Sequence, residues 1–393
     1  MKRILFVLPS LQNGGTVTTL KNTLPYIDRR KCQIDIFPIT NSGPNYDYIS
    51  RYATILGARI DNSVKKNKTT KDKAYTLLYK IVKGVKKILC HVGCDISVLL
   101  FKKVAKTLEK TNYDTVIAFQ EGQATRLGRL IQAKRKVAWI HCDYSTIGEK
   151  EREADNKEKA YKSFDKIVCV SKFTQSQFVK CVPEAADRTV AIHNLMSADT
   201  IKIQALEDPK DVIFNSVEGL KIVSLGRLHP VKRFSTIPEI AMRLKEKGLL
   251  FNWFIIGGDD SDKELIERNI EKFDVADCVK LLGNKNNPYP YIKNSDALVC
   301  TSLSEACPNV LNEAKILGIP IVSTNFGSVV EMMSDGVEGL IAPIEQLDEA
   351  IYRLFSEDGL FNNIKDNIAR YRYDNKEILK RLSKITLLEF VAE

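Results

Sequence analysis

Short apolar runs recur along the chain, each separated from the next by enough residues to form a helix. In the first half they occupy positions 4–8, 34–37, 115–118, 137–140 and 167–170. In the second half they occupy positions 222–225, 254–256, 279–282, 297–300 and 319–323. Runs of this length, apolar at almost every position, predict strands buried on both faces, as in a parallel sheet covered by helices. Parallel strands need crossover connections, and the rhythm occurs twice, so the pattern predicts two doubly wound α/β domains. The rhythm lapses between Asn194 and Gly219, through Met196-Ser197-Ala198-Asp199 and a charged stretch at 207–211, which places the junction there. Beyond Ile341 the pattern is purely helical, at 347–355 and then from about 360 to 391. The expected division is 1–200, 201–375 and a terminal helix over 376–393.

Composition agrees with this reading. A chain of 393 residues exceeds a comfortable single core. With 44% hydrophobic and 27% charged residues it is an ordinary globular protein. Lys2-Arg3 precedes an apolar run too short for a signal-peptide core, and no stretch approaches the ~20 apolar residues of a membrane span. The nine cysteines (32, 90, 94, 142, 169, 181, 278, 300 and 307) are odd in number and scattered. Buried free thiols in a reducing cytosol are expected. Cys90-His91-Val92-Gly93-Cys94 lacks a second ligand pair, so no metal is expected there.

Charge sharpens the picture in one place. Of a net +10, residues 61–110 carry +9, from thirteen lysines and four acids. Within them Tyr75, Leu78, Val82, Val85 and Leu89 form an apolar helical stripe flanked by Lys73, Lys80, Lys83, Lys86 and Lys87. Such a helix either docks on its own domain or rests on anionic lipid, and residues 65–110 are the face expected to meet a membrane.

The strongest chemical signal is Ser304-Glu305-Ala306-Cys307-Pro308-Asn309-Val310-Leu311-Asn312-Glu313-Ala314, directly after the run at 297–300. Glu305 falls in a strand-to-helix loop and Glu313 within the helix, with Pro308 expected in its first turn. The backbone at Cys307, Asn309 and Val310 then forms a helix N-terminus suited to phosphate. Taken alone, Glu305 could merely complement the helix dipole and Glu313 could be a solvated helix residue.

Glu305 and Glu313 resemble the paired glutamates of the family-four glycosyltransferases, retaining enzymes of the GT-B fold. Other matches follow in order. Gly226-Arg227-Leu228 and Val231-Lys232-Arg233 resemble the arginine and lysine that grip the donor diphosphate, which points to Arg227 and Lys232. Gly14-Gly15 resembles the glycine pair whose backbone approaches the donor. Trp139-Ile140-His141-Cys142-Asp143 resembles the family's histidine-bearing strand end. Leu282-Gly283-Asn284 resembles the loop that contacts the base. The resemblance spans essentially the whole chain, strongest over 221–340, and is closest to enzymes that build bacterial surface polysaccharides.

That resemblance implies two Rossmann-like domains facing each other across a cleft, with C-terminal helices crossing back to the first. It implies Glu305 and His141 as catalytic residues and Arg227, Lys232, Gly15, Cys307, Asn309 and Val310 at the diphosphate. Glu313, Gly283 and Asn284 would meet the nucleoside, and Asp143 is a weaker candidate for orienting His141. The donor is expected to be a UDP-sugar and the acceptor a glycan or lipid-linked glycan, with no metal, no cofactor and no nucleic acid. A cytoplasmic protein, peripheral at the inner membrane face, is implied. Departures from the pattern are Ala306 in place of glycine, the turn Gly257-Gly258-Asp259-Asp260, and Thr16-Val17 where relatives carry an acid. A nucleotide-sugar epimerase or an inactive accessory subunit of a partner transferase are the alternatives. The epimerase would need an acid and a base that no motif supplies, and the retained Arg227, Lys232, Glu305 and Glu313 argue against decay.

Overall fold

The computed structural model describes residues 1–40, 43–56, 96–149, 152–153, 155, 159–258 and 260–391. The chain divides into two compact units, Met1–Leu195 with Asn375–Glu393, and Met196–Asp374.

Unit 1 is built on a parallel sheet of seven strands: β1 (Lys2–Leu8), β2 (Cys32–Pro38), β3 (Thr54–Ile55), β4 (Thr115–Ala118), β5 (Arg135–Ile140), β6 (Lys166–Cys169) and β7 (Thr189–Ala191). Their order is β3-β2-β1-β4-β5-β6-β7. Ile4 through Leu8 are wholly buried, as the unbroken apolar run requires of a central strand covered on both faces. The helix Ile96–Glu109 packs Val104, Ala105 and Leu108 beside Leu5, Val7 and Val116. Its Lys102, Lys103 and Lys106 point outward, so this part of the basic region is an amphipathic helix docked on its own sheet. The C-terminal helix Lys376–Thr386 belongs to the same unit, where the Thr115 hydroxyl donates to the Thr386 carbonyl (2.8 Å). Beyond it, Glu389 pairs with Lys2 at 2.7 Å.

Unit 2 carries six parallel strands: β8 (Leu220–Leu225), β9 (Phe251–Ile256), β10 (Val279–Gly283), β11 (Ala297–Cys300), β12 (Ile321–Thr324) and β13 (Gly339–Ala342). Their order is β10-β9-β8-β11-β12-β13. Trp253 is fully buried at the centre. Its indole N–H donates to the Ser224 hydroxyl (3.0 Å), which donates to the Val299 carbonyl (2.7 Å), tying β9, β8 and β11 with one polar chain.

Every strand expected from the apolar runs is present, and β3, β7 and β13 are additional. The segment read as patternless holds two helices, Ala198–Gln204 and Val212–Asn215. The helical tail is three helices, Leu347–Ser356, Leu360–Ala369 and Lys376–Thr386. Of the expected buried thiols, Cys32, Cys169, Cys278, Cys300 and Cys307 are free and buried, whereas Cys142 and Cys181 are only partly covered. Cys90, Cys94 and the helical stripe at 73–89 lie outside the described residues.

Candidate active site

In unit 2 the strand order reverses between β8 and β11, so the loops at their carboxyl ends leave in opposite directions and open a crevice. The β8 loop supplies Gly226, Arg227 and the 3-10 turn Pro230–Lys232, and the β11 loop runs through Glu305 to Pro308. Two hydrogen bonds stitch the loops together: Leu303 N–H to the Val231 carbonyl (2.8 Å) and the Thr301 hydroxyl to the Lys232 carbonyl (2.6 Å). Two glycines permit this packing. A Cβ on Gly257 would lie 1.7 Å from the Gly226 carbonyl oxygen, and one on Gly226 would lie 3.1 Å from Lys232 Cε. The Gly257 turn is therefore demanded by the close approach of the β8 and β9 ends.

The Lys232 ammonium is ion-paired with Glu305. Glu305 Oε1 also accepts the Ser302 hydroxyl at 2.7 Å, and its carbonyl accepts the Ser328 hydroxyl at 2.7 Å. Burial works to lower the Lys232 pKa, but the adjacent Glu305 carboxylate outweighs it and the net shift is upward. Lys232 is thus a cation at neutral pH. Arg227, on the same loop, is exposed.

The helix after Glu305 runs from Asn309 to Leu317, with Pro308 as its N-cap (φ −69°, ψ 108°) and no side chain capping its first turn. Pro308 therefore precedes the helix and does not lie in its first turn. The amides at Asn309 and Val310 begin it, while the Cys307 thiol turns inward to 3.6 Å from Met332 Sδ. Any contribution of Cys307 to anion binding falls to its backbone. Glu313 is 7% exposed, with the Tyr289 hydroxyl 3.5 Å from its carboxylate, so it is not a solvated helix residue. Gly283 closes β10 with φ +67° and accepts the Gly257 N–H at 3.0 Å. Asn284 lies against Gly258. Arg227, Lys232, Glu305, Gly283 and Asn284 thus share the carboxyl edge of one sheet.

In unit 1 the order reverses between β1 and β4. Gly14 and Gly15 follow β1 at the start of the helix Gly15–Thr23, and a Cβ on either would meet nothing within 4 Å. Among the described residues, no steric contact requires glycine there. His141 follows β5, its ring 5.0 Å from that of Phe119 and nearly parallel to Trp139. Burial pushes its pKa down to about 3, so the imidazole is neutral. Its Nε2 is buried and has no hydrogen-bond partner among the described residues.

Asp143 does not orient His141. Its carboxylate accepts the Ser145 N–H (3.0 Å) and hydroxyl (2.6 Å), capping the turn Tyr144–Thr146. The residue that holds the His141 backbone is one that no sequence motif singles out. Glu121, just after β4, accepts the His141 backbone N–H through Oε2 at 2.8 Å. Burial raises the Glu121 pKa, and that hydrogen bond opposes the rise.

Comparison with known proteins agrees with this geometry. Residues 209–371 match the family described as glycosyl transferases group 1. The amylovoran biosynthesis glycosyltransferase AmsK of Erwinia amylovora is 33% identical over 134 residues, 32% of this chain and 33% of that protein. The alignment thus spans about a third of that relative. A Campylobacter jejuni protein, the N-acetylgalactosamine-N,N'-diacetylbacillosaminyl-diphospho-undecaprenol 4-alpha-N-acetylgalactosaminyltransferase, is 24% identical over 74% of this chain and 73% of its own. The crystal structure of Anabaena HepE in complex with UDP-glucose superposes with a TM-score of 0.71 at 17% identity, covering 98% of this chain and 100% of that one. The fold is GT-B.

Proposed function

We propose that this protein is a retaining glycosyltransferase that moves a sugar from a UDP-sugar to a glycan or lipid-linked acceptor in surface-polysaccharide synthesis. The observation that carries the reading is the Lys232–Glu305 pair at the switch point between β8 and β11, with Arg227 on the same loop. A departing nucleoside diphosphate gains negative charge, and cations already in place lower the barrier to its departure. Arg227 offers a rigid multi-donor fork and Lys232 a mobile point charge, together a fit for two phosphates without a metal or cofactor. Amides at Asn309 and Val310 add the helix dipole, and the backbones of Cys307 and, in unit 1, of Gly15 are assigned to the diphosphate as well.

Glu305 is assigned to the donor sugar, Glu313 to the ribose, and Gly283 with Asn284 to the base. The acceptor hydroxyl attacks on the face from which the diphosphate leaves, and a diphosphate oxygen takes its proton. Neutral His141 hydrogen-bonds the donor sugar and eases the oxocarbenium-like charge through its ring or carbonyl. The undecaprenol-linked substrate in the name of the Campylobacter relative supports a lipid-linked acceptor, hence peripheral attachment at the inner membrane face through lysines in 65–110.

A thermal-shift panel of nucleotide sugars, followed by donor hydrolysis, tests this. A ligand at ~100 times its dissociation constant adds about 2.7 kcal/mol, which is readily detected. UDP-sugars are expected to stabilise the protein and to be slowly hydrolysed. Stabilisation by GDP- or ADP-sugars alone overturns the nucleoside assignment, and binding without hydrolysis or transfer favours an accessory subunit.

A further inference from the structure

Lys315, on the helix Asn309–Leu317, is 5% exposed. Its ammonium donates to the Met332 carbonyl and lies 4.3 Å over the Tyr371 ring. Among the described residues no carboxylate forms an ion pair with it, although buried charges ordinarily find a counter-ion. Burial pushes its pKa down to about 8, with Glu338 acting in the opposite direction.

The same lysine lines a hollow of about 440 Å³ within unit 2. Lys202, Arg372, Asp199, Tyr371 and Tyr373 also line it, and Arg227, Lys232 and Glu305 do not. Arg372 gives Nη1 to the carbonyls of Ala369 (2.9 Å) and Tyr371 (2.8 Å), which fixes its guanidinium plane. Lys293 donates to the Leu317 carbonyl (3.2 Å), so the negative end of the helix beside the hollow is opposed.

We propose that this hollow binds a phosphorylated sugar, with the phosphate on Lys315, Lys202 and Arg372 and the sugar ring against Tyr371 and Tyr373. Three cations and one carboxylate, Asp199, line the hollow, and Glu338 acts on Lys315 from outside that lining, so the lining is net positive and suits an anion such as a phosphate monoester, which carries about −1.5 to −2 at neutral pH. The volume falls within the ~300–1,000 Å³ of small-molecule sites and exceeds what an inorganic ion fills. Aromatic faces beside cations, of which Lys315 and Arg372 are held by backbone carbonyls, suit a sugar carrying a phosphate. The site draws on the helix just after Leu195/Met196 and on the segment just before Asp374/Asn375, so an occupant ties the two ends of unit 2 together.

Titration calorimetry on the full chain tests this with glucose 1-phosphate, glucose and inorganic phosphate. Wild type and Arg227→Ala should bind glucose 1-phosphate equally, which separates this site from the proposed donor site. The exposed pair Lys202→Ala/Arg372→Ala should weaken it roughly tenfold or more, the loss expected for charge-assisted bonds. Lys315→Met should do the same, and affinity should fall as pH rises past 8. Glucose should not bind. No binding of glucose 1-phosphate to wild type, or loss of binding in Arg227→Ala with retention in the double variant, overturns the proposal. Equally tight inorganic phosphate overturns the sugar assignment.

Discussion

The carboxylate of Glu121 accepts the backbone N–H of His141 at 2.8 Å, joining the loop after β4 to the loop after β5. The bond fixes the peptide that carries the imidazole, so Glu121 acts on His141 through position. Glu121→Gln keeps an acceptor oxygen and should retain activity within a few-fold. Glu121→Ala leaves a buried N–H without its partner, which costs about 1–3 kcal/mol. Its kcat should fall roughly tenfold or more, while the KM for donor, set mainly in unit 2, moves less. Equal kinetics for the two variants would reduce Glu121 to a packing role.

His141 also sets an acid limit on stability. Its folded pKa of about 3 lies below the ordinary 6.5, so the folded state refuses a proton that the unfolded chain accepts. The associated stability is whole above pH 6.5 and is lost as pH falls toward 3, by up to about 1.4 kcal/mol per pH unit. His141→Asn should therefore flatten the decline in urea midpoint between pH 6.5 and 4.5. A decline as steep as in wild type would show that other groups govern the acid limit.

The central strands could be read from the sequence because a sheet covered on both faces demands apolar residues at almost every position, as at Ile4 through Leu8. The strands β3, β7 and β13 lie at sheet edges; β3 and β7 are only two and three residues long, and β13 opens on Gly339, which breaks its apolar run. The helices at Ala198–Gln204 and Val212–Asn215 were hidden by exposed apolar residues, Ile203, Leu206, Val212 and Ile213, which erase amphipathic periodicity. Arg227, Lys232, Glu305 and Glu313 stood out because they sit beside recognisable glycines and a helix start. Glu121 belongs to no such motif. Its one signal is position: a lone acid just past a buried strand, where an α/β sheet places its chemistry.

Two glycines at the edge of unit 2 should resist the same change for different reasons, one steric and one conformational. At Gly257 a new Cβ would fall 1.7 Å from the Gly226 carbonyl oxygen, and backbone would have to move. Gly257→Ala should cost at least the ~1–3 kcal/mol typical of overpacking and lower the Tm by about 5 °C or more. At Gly283 a Cβ meets nothing within 4 Å, and only the left-handed φ of +67° resists it. Gly283→Ala should cost roughly 1–2 kcal/mol. Calorimetric scans of both variants decide the matter. A Gly257→Ala protein as stable as wild type would mean that the β8 and β9 ends are not packed as described.

Glu305 and Glu313 should fail in different ways. Under the proposed function Glu313 meets the ribose, a part of the donor that does not change during transfer. Glu313→Gln should therefore raise the donor KM with little effect on kcat, the mark of uniform binding. Glu305 faces the sugar, where charge and geometry change on the way to the transition state. Glu305→Gln keeps the size and removes the negative charge, so kcat at saturating donor should drop about a hundredfold, as when one oriented polar contact is lost at a reacting centre. Lys232 complicates this, because the Gln variant leaves its part-buried cation without the Glu305 counter-ion. The double variant Lys232→Met/Glu305→Gln removes that unpaired charge and should regain thermal stability without regaining kcat. Transfer and donor hydrolysis measured across a donor titration, beside a melting curve for each variant, separate the two effects. If Glu305→Gln keeps near-normal kcat, the carboxylate serves only to neutralise Lys232, and the catalytic centre does not lie in the β11 loop.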